Sequence, residues 1–174
     1  MSADERIDIV DEDDRVIGQA TRGEMRARAL RHRCTYILLF NSRNQLYVHQ
    51  RTETKDVYAS YYDVAFGGVV GAGEAYDTAA RRELEEEAGV GDVALRQVLS
   101  LRYDDGPNHV NGVLYTATWD GPLRLQAGEV QHGRWMDLDA VFELAQREPF
   151  CPDGLEALRR YLDVLNDALQ ARRG

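Results

Sequence analysis

A mixed α/β architecture, one sheet with helices on both faces, is what this sequence of 174 residues predicts. Three observations predict it. Runs of β-branched and aromatic residues are interspersed with runs of helical periodicity, without the regular βα alternation of a doubly wound sheet. The length suits one compact domain, so residues 1–174 are expected to share a core. The composition, 44% hydrophobic and 29% charged, is that of a globular chain and excludes both a disordered polyelectrolyte and a membrane bundle.

The elements follow in order. IDIV and RVIG around the polar turn DEDD predict a hairpin between Asp8 and Gln19. Thr21 and Glu24 have capping-box spacing, which opens a helix running to about Leu30. Cys34–Phe40 and Gln45–Arg51, joined by NSRN, read as a pair of central strands. Tyr62–Phe66 and Gly68–Val70 read as short strands, and Tyr76–Ala88 as a helix that stops at Gly89. Ala94–Tyr103 and Gly112–Trp119 predict a hairpin with DDGPNH as its loop, and Arg134–Met136 a last strand. Asp137 is placed to cap a helix through about Gln146. The final helix begins near Pro152 or Asp153, with Leu155, Leu158, Leu162, Leu165 and Leu169 on one face as a core stripe.

Net charge narrows the partners. Thirty acidic residues against 21 basic ones give −9, a field that repels nucleic acid and anionic lipid. The longest apolar block, about Tyr36–Phe40, is far short of the ~20 residues of a spanning helix. The acidic opening MSADERIDIV does not read as a secretory signal, so a cytoplasmic address is expected. Cys34 and Cys151 do not form a disulfide framework and are expected to be reduced. His32, His49, His109 and His132 lack the short spacings of a zinc site. Five arginines between Arg22 and Arg33 read as a solvated helix face. Phe66, Tyr103 and Trp119 are open to two readings, a stacking platform for a base or core.

The chemistry concentrates in GEAYDTAARRELEEEAG. With ~100° of rotation per residue, Glu83, Glu86 and Glu87 fall within an arc of roughly 100°, whereas Glu85 points away. Ala80, Leu84 and Ala88 form an adjacent stripe able to dock on a sheet. Arg82 lies one turn before Glu86, where an ion pair can orient a carboxylate. Three carboxylates on one face suit a hard cation, Mg²⁺ or Mn²⁺, which keeps waters and shares its remaining positions with phosphate. That combination points to hydrolysis of a phosphoanhydride.

From Gly68 to Val90 the sequence GVVGAGEAYDTAARRELEEEAGV fits G-x5-E-x7-R-E-U-x-E-E-x-G-U, with U aliphatic, at every fixed position. It is thereby identified as resembling the Nudix hydrolase superfamily. The resemblance implies an α/β/α sandwich, here with an N-terminal hairpin and helix extension and a C-terminal helix. It also implies metal binding by Glu83, Glu86 and Glu87, orientation by Arg82, support from Glu74, and a metal contact from the carbonyl of Gly67. A further acid outside the box often serves as base or ligand, and Glu129 is the candidate. The implied substrate is a small diphosphate of nucleotide type.

LRHRCTYILLFN and HQRTETKDVYASYYDVAFGG are similar to one branch of that superfamily, the one containing isopentenyl diphosphate isomerase. By that resemblance Arg51 and Lys55 hold the substrate diphosphate. The chain departs from the isomerase at Gly67, Gly68 and Val69, where the isomerase carries its catalytic Cys-Gly-His, and at Met25, where a histidine is expected. His32 alone of those metal histidines survives and reads as structural. Hydrolysis, with Glu86 or Glu129 taking the proton from water, is therefore the expected activity. The rivals are a Nudix domain that senses a nucleotide without turnover, and isomerisation.

Overall fold

A computed structural model describes residues 3–172. Eight strands form one mixed sheet and four helices pack on it: β1 (Arg6–Val10), β2 (Val16–Thr21), α1 (Arg22–Ala27), β3 (His32–Phe40), β4 (Leu46–Arg51), β5 (Tyr62–Asp63), α2 (Tyr76–Ala88), β6 (Arg96–Asp105), β7 (Asn108–Thr118), β8 (Val130–Met136), α3 (Leu138–Ala145) and α4 (Pro152–Ala171). Alternation along β3 divides the core. Tyr36 and Leu38 face a cluster completed by Val141, Ala157 and Leu158 of α3 and α4. Ile37 and Leu39 face a second cluster built on Ala80, Leu84 and Ala88 of α2. The expected α/β/α layering is present, and the expected docking stripe of α2 is the one buried.

The N-terminal hairpin forms as expected, with β1 antiparallel to β2. The helix after it is shorter. Thr21 and Glu24 make the reciprocal capping box, but α1 ends at Ala27 rather than near Leu30, because Ala29 turns to a positive φ of 48°.

The largest departure concerns β3 and β4, expected as neighbours. They touch only at Phe40↔Leu46, beside their turn, and then diverge like a fork. The segment 65–70 enters that fork. Phe66 exchanges backbone hydrogen bonds with Ile37, and Thr35 N–H donates to the Gly68 carbonyl, so this edge of β3 is already satisfied. The strands predicted over Tyr62–Phe66 and Gly68–Val70 accordingly shrink to β5 and isolated bridges. On its other side β3 pairs in parallel with β7 from His32↔Val110 to Phe40↔Thr118, while β4 pairs with β8 and β5.

Four smaller corrections follow. β6 and β7 extend toward each other until only Gly106 and Pro107 connect them, because Asp105 pairs with Asn108. β8 begins at Val130, four residues before the predicted start. Asp137 occupies the N-cap position of α3 without a side-chain capping bond. The leucine stripe of α4 is core only in its first half: Leu158 is buried, Leu155 and Leu162 are partly covered, and Leu165 and Leu169 are exposed because α4 runs past the edge of the sheet. Cys34 and Cys151 are free and buried. Among the described residues no helix is long and apolar enough to cross a membrane.

Candidate active site

The acidic helix α2 carries the site, and its ends explain its placement. Gly89, at φ 71°, takes the left-handed C-terminal position, and its Cα lies so close to the 124–126 segment that a Cβ would come within 2.9 Å of the Arg124 Cβ. That segment satisfies the last carbonyls of the helix: Arg124 N–H donates to Ala88 and Gln126 N–H to Glu87. Glu129 follows in the same turn, its N–H donating to Gln126, and so reaches the box.

Arg82 organises the first carboxylates. Its guanidinium binds Glu74 through two bonds of 3.0 and 2.9 Å, Glu83 at 2.7 Å and, more weakly, Glu86 at 3.4 Å. Glu74 also accepts from Gly71 N–H at 3.0 Å, which locks the box loop to the helix. The carboxyl of Glu74 is held below its usual range chiefly by Arg82. The expected orienting role is thus directed more to Glu74 and Glu83 than to Glu86.

The three box glutamates differ in depth. Glu83 and Glu87 are buried at 2% and 4% exposure, whereas the Glu86 side chain is 47% exposed. Burial, reinforced by Glu87, pushes the Glu83 carboxyl up to about 7, and burial also raises Glu87. Glu87 accepts from Gly67 N–H at 3.2 Å and lies 3.5 Å from Lys55 Nζ, and Lys55 in turn is paired with Glu129. The resemblance to the isomerase branch put Lys55 on the substrate diphosphate. The structure brings it between two acids, held there by Thr52, whose N–H donates to Glu129 O and whose hydroxyl donates to Gly128 O.

Gly67 has φ 135°, and a Cβ there would lie 2.1 Å from the Thr35 carbonyl oxygen. Only glycine fits this close approach to β3, which is what presents its peptide to Glu87. Among the described residues no three Asp, Glu, His or Cys side chains already converge as a coordination shell. The single arc expected for Glu83, Glu86 and Glu87 is therefore split, with Arg82 drawing on Glu83 and Glu86 and Lys55 on Glu87. The donors are nonetheless all oxygens, and the buried pair disfavours its own negative charge, so the set suits a hard divalent cation.

Gly67 and Lys55 line a narrow cleft together with Arg51, Asp63 and Asp153. Arg51 lies 3.7 Å from Asp63 and donates to the Val57 carbonyl, so its guanidinium is already engaged by the protein. Asp63 and Asp153, remote in sequence, gave no signal of this meeting. His32 is tied to the backbone: its Nδ1 pairs with the Leu30 carbonyl, and burial lowers its pKa to about 4. Phe66 stacks between Tyr47 and His49 in the core, while Tyr103 and Trp119, partly exposed, pack against its edge. Four of the five arginines of the 22–33 segment are tied internally, Arg22 and Arg26 to Asp56, Arg31 to Asp104 and Arg33 to Asp14, while Arg28 is exposed.

Comparison with known proteins agrees with this geometry. The NUDIX domain model matches residues 30–161. An uncharacterised Nudix hydrolase of Pseudomonas aeruginosa is 46% identical over 155 residues, covering 89% of this chain and 92% of its own. The uncharacterised Nudix hydrolase YfcD of Escherichia coli is 37% identical over 172 residues, covering 98% and 94%. The crystal structure of DR0079 from Deinococcus radiodurans superposes with a TM-score of 0.79 at 30% identity, over 90% of this chain and 98% of that one.

Proposed function

Since the chain belongs to the NUDIX domain family and is a Nudix hydrolase, we propose that it cleaves the phosphoanhydride of a nucleoside diphosphate-type substrate with the help of Mg²⁺ or Mn²⁺. The observation that carries this reading is the pair of buried carboxylates, Glu83 and Glu87, beside Gly67 and below the half-exposed Glu86. Glu83, Glu86, Glu87 and the Gly67 carbonyl would hold the cation. When bound, it would polarise phosphoryl oxygens and offset the charge that develops on them.

The chain's own residues perform the rest. Arg82, fixed by Glu74, keeps the Glu83 carboxylate in place. Glu86, the most solvent-accessible of the three and only weakly held, accepts the proton of the attacking water. Glu129 anchors Lys55, and Lys55 supplies the positive charge that receives the diphosphate at the cleft. Arg51, already engaged, positions the cleft wall. Water adds across P–O–P, one phosphate taking its hydroxyl and the other leaving as the free phosphate. Gly67 and Gly68 carry no thiol, which favours hydrolysis over isomerisation despite the similarity to the isomerase branch.

A panel of nucleoside diphosphates, triphosphates and nucleotide sugars tests the proposal, assayed with Mg²⁺ and product analysis by mass spectrometry. Glu86→Gln and Glu87→Gln should each lower kcat at least ~100-fold. Tight nucleotide binding without product in the wild type would favour the sensing domain instead.

A further inference from the structure

Two cationic side chains hold the buried glutamates of α2, and they hold them differently. Arg82 grips Glu83 at 2.7 Å and is itself fixed by two bonds to Glu74. Lys55 meets Glu87 as a point donor at 3.5 Å and pairs with Glu129 on its other side. Glu87 is 4% exposed, so its carboxylate needs a counter-charge, which Lys55 supplies. Both oxygens of Glu87 are engaged, Oε2 by Gly67 N–H and Oε1 by Lys55. A hard divalent ion binds a carboxylate oxygen at about 2.1 Å. On Glu87 it would compete with Lys55 for Oε1, and the two positive centres would repel each other at that distance.

The chain on either side of Lys55 is anchored, whereas the turn that carries it is not. Residues 52–60 contain neither helix nor strand. Before the turn, Thr52 donates through its N–H to Glu129 O and through its hydroxyl to Gly128 O. After it, Asp56 accepts from Arg22 and Arg26 at 3.2 Å each, and the Tyr58 hydroxyl donates to Asp105. Tyr58 and Ser60 keep φ values of 51° and 65°, which non-glycine residues hold only where the surroundings enforce them. Among the described residues, the one backbone hydrogen bond of the 53–55 turn runs from Lys55 N–H to Thr52 O, at a weak 3.4 Å. Lys55 and Asp56 line two cavities. The cleft shared with Gly67 has a volume of about 60 Å³, room for a few waters, whereas the cavity bordered by Thr54, Gly128 and Glu129 has about 340 Å³. Ligand clefts run to roughly 300–1,000 Å³, so a diphosphate reaches Gly67 only if Lys55 shifts toward the larger cavity.

Resting on the proposed metal site, we infer that Lys55 is a displaceable internal cation, a latch that closes the Gly67 cleft by neutralising Glu87 and yields that place to the divalent ion. On release the 53–55 turn carries the ammonium into the larger cavity, still paired with Glu129, where it meets the substrate diphosphate. Until then two acids cancel its charge, so the site becomes attractive to an anion only after it is loaded with metal. Competition for one carboxylate is reciprocal: the divalent ion loosens Lys55 by the factor by which Lys55 weakens the ion.

Lys55 is the only lysine of the sequence, so amine acetylation reads the latch directly, without substrate or turnover. The full chain is treated briefly with an acetylating reagent before and after addition of Mn²⁺, and the Lys55 peptide is quantified by mass spectrometry against an added lysine peptide. Mn²⁺ alone should speed labelling of Lys55 at least ~10-fold, the reverse of the protection that a ligand merely ordering the site would give. Lys55→Met should bind Mn²⁺ at least ~5-fold more tightly, read by electron paramagnetic resonance. Arg26→Met makes the same change of charge in the same cleft, but Arg26 is tied to Asp56 and Asn108, so Mn²⁺ affinity should stay within ~2-fold. Unchanged or slower labelling with Mn²⁺ bound, or equal tightening in the two variants, overturns the latch and leaves the metal site standing. Absence of Mn²⁺ uptake by both the wild type and Lys55→Met would instead overturn the metal site, and the latch with it.

Discussion

Replacing Arg82 by lysine preserves the charge and removes the geometry. The arginine makes two bonds to Glu74, one of 2.7 Å to Glu83 and a weak one to Glu86. An ammonium is a point donor on a different stem and cannot reproduce that fork. Net loss for a charge-assisted bond is about 1.5–3 kcal/mol, but the Arg82 side chain is 29% exposed and its contacts are partly screened. Lysine also recovers one contact, so a destabilisation of about 1.5–2 kcal/mol is expected. With a urea slope of about 2 kcal/mol/M, the midpoint should fall by roughly 0.7–1 M with the slope unchanged. Activity should fall further, because Glu83 is 2% exposed and depends on Arg82 for its position. A ~100-fold loss in kcat/KM, about 2.7 kcal/mol, is expected. Arg81→Lys is the control: Arg81 is exposed and among the described residues bonds only the Val93 carbonyl, so kcat/KM should stay within ~3-fold. If Arg82→Lys matches that control in activity, the chain Glu74–Arg82–Glu83 does not position the site.

Gly67→Ala should cost ~3–5 kcal/mol in chemical denaturation, combining left-handed strain with overlap on the Thr35 carbonyl. Gly73→Ala, with φ 74° but open space around it, should cost ~1 kcal/mol, and equal losses for the two would contradict the role of the close approach. His32 is displaced from 6.5 to about 4 by burial. The unfolded chain therefore binds this proton first: the stabilising contribution is fully present above pH 6.5 and is lost as pH falls toward 4, by about 3 kcal/mol. The stability of the wild type relative to His32→Gln, measured by urea titration at each pH, should decline across that interval, and parallel curves would refute the assignment.

The positions of these residues were legible to different degrees. Periodicity located α2 and its buried stripe because Ala80, Leu84 and Ala88 recur at the helical repeat. It gave the direction of Glu83, Glu86 and Glu87 but not their depth, since an angular position on a helix says nothing of how closely a neighbouring element covers it. Strand propensity found β3, β4 and their pairing beside the turn but not how short that pairing is: it cannot see residues 65–70 enter the fork and take the backbone groups of Ile37 and Thr35. The leucine repeat of α4 continued beyond the sheet it packs on. Nothing in the sequence joined Asp63 to Asp153, because their meeting depends on the approach of α4 to β5. The reach of Lys55 to Glu87 and Glu129 likewise arises from the Thr52 hydrogen bonds, a tertiary feature with no local pattern.

Titration with Mn²⁺ followed by electron paramagnetic resonance bears most directly on the carboxylate site. The wild type should remove Mn²⁺ from the free pool saturably, and Glu83→Gln with Glu87→Gln should weaken that binding at least ~10-fold while the thermal transition remains cooperative. Unchanged Mn²⁺ binding in the folded double variant would contradict the assignment of these buried glutamates.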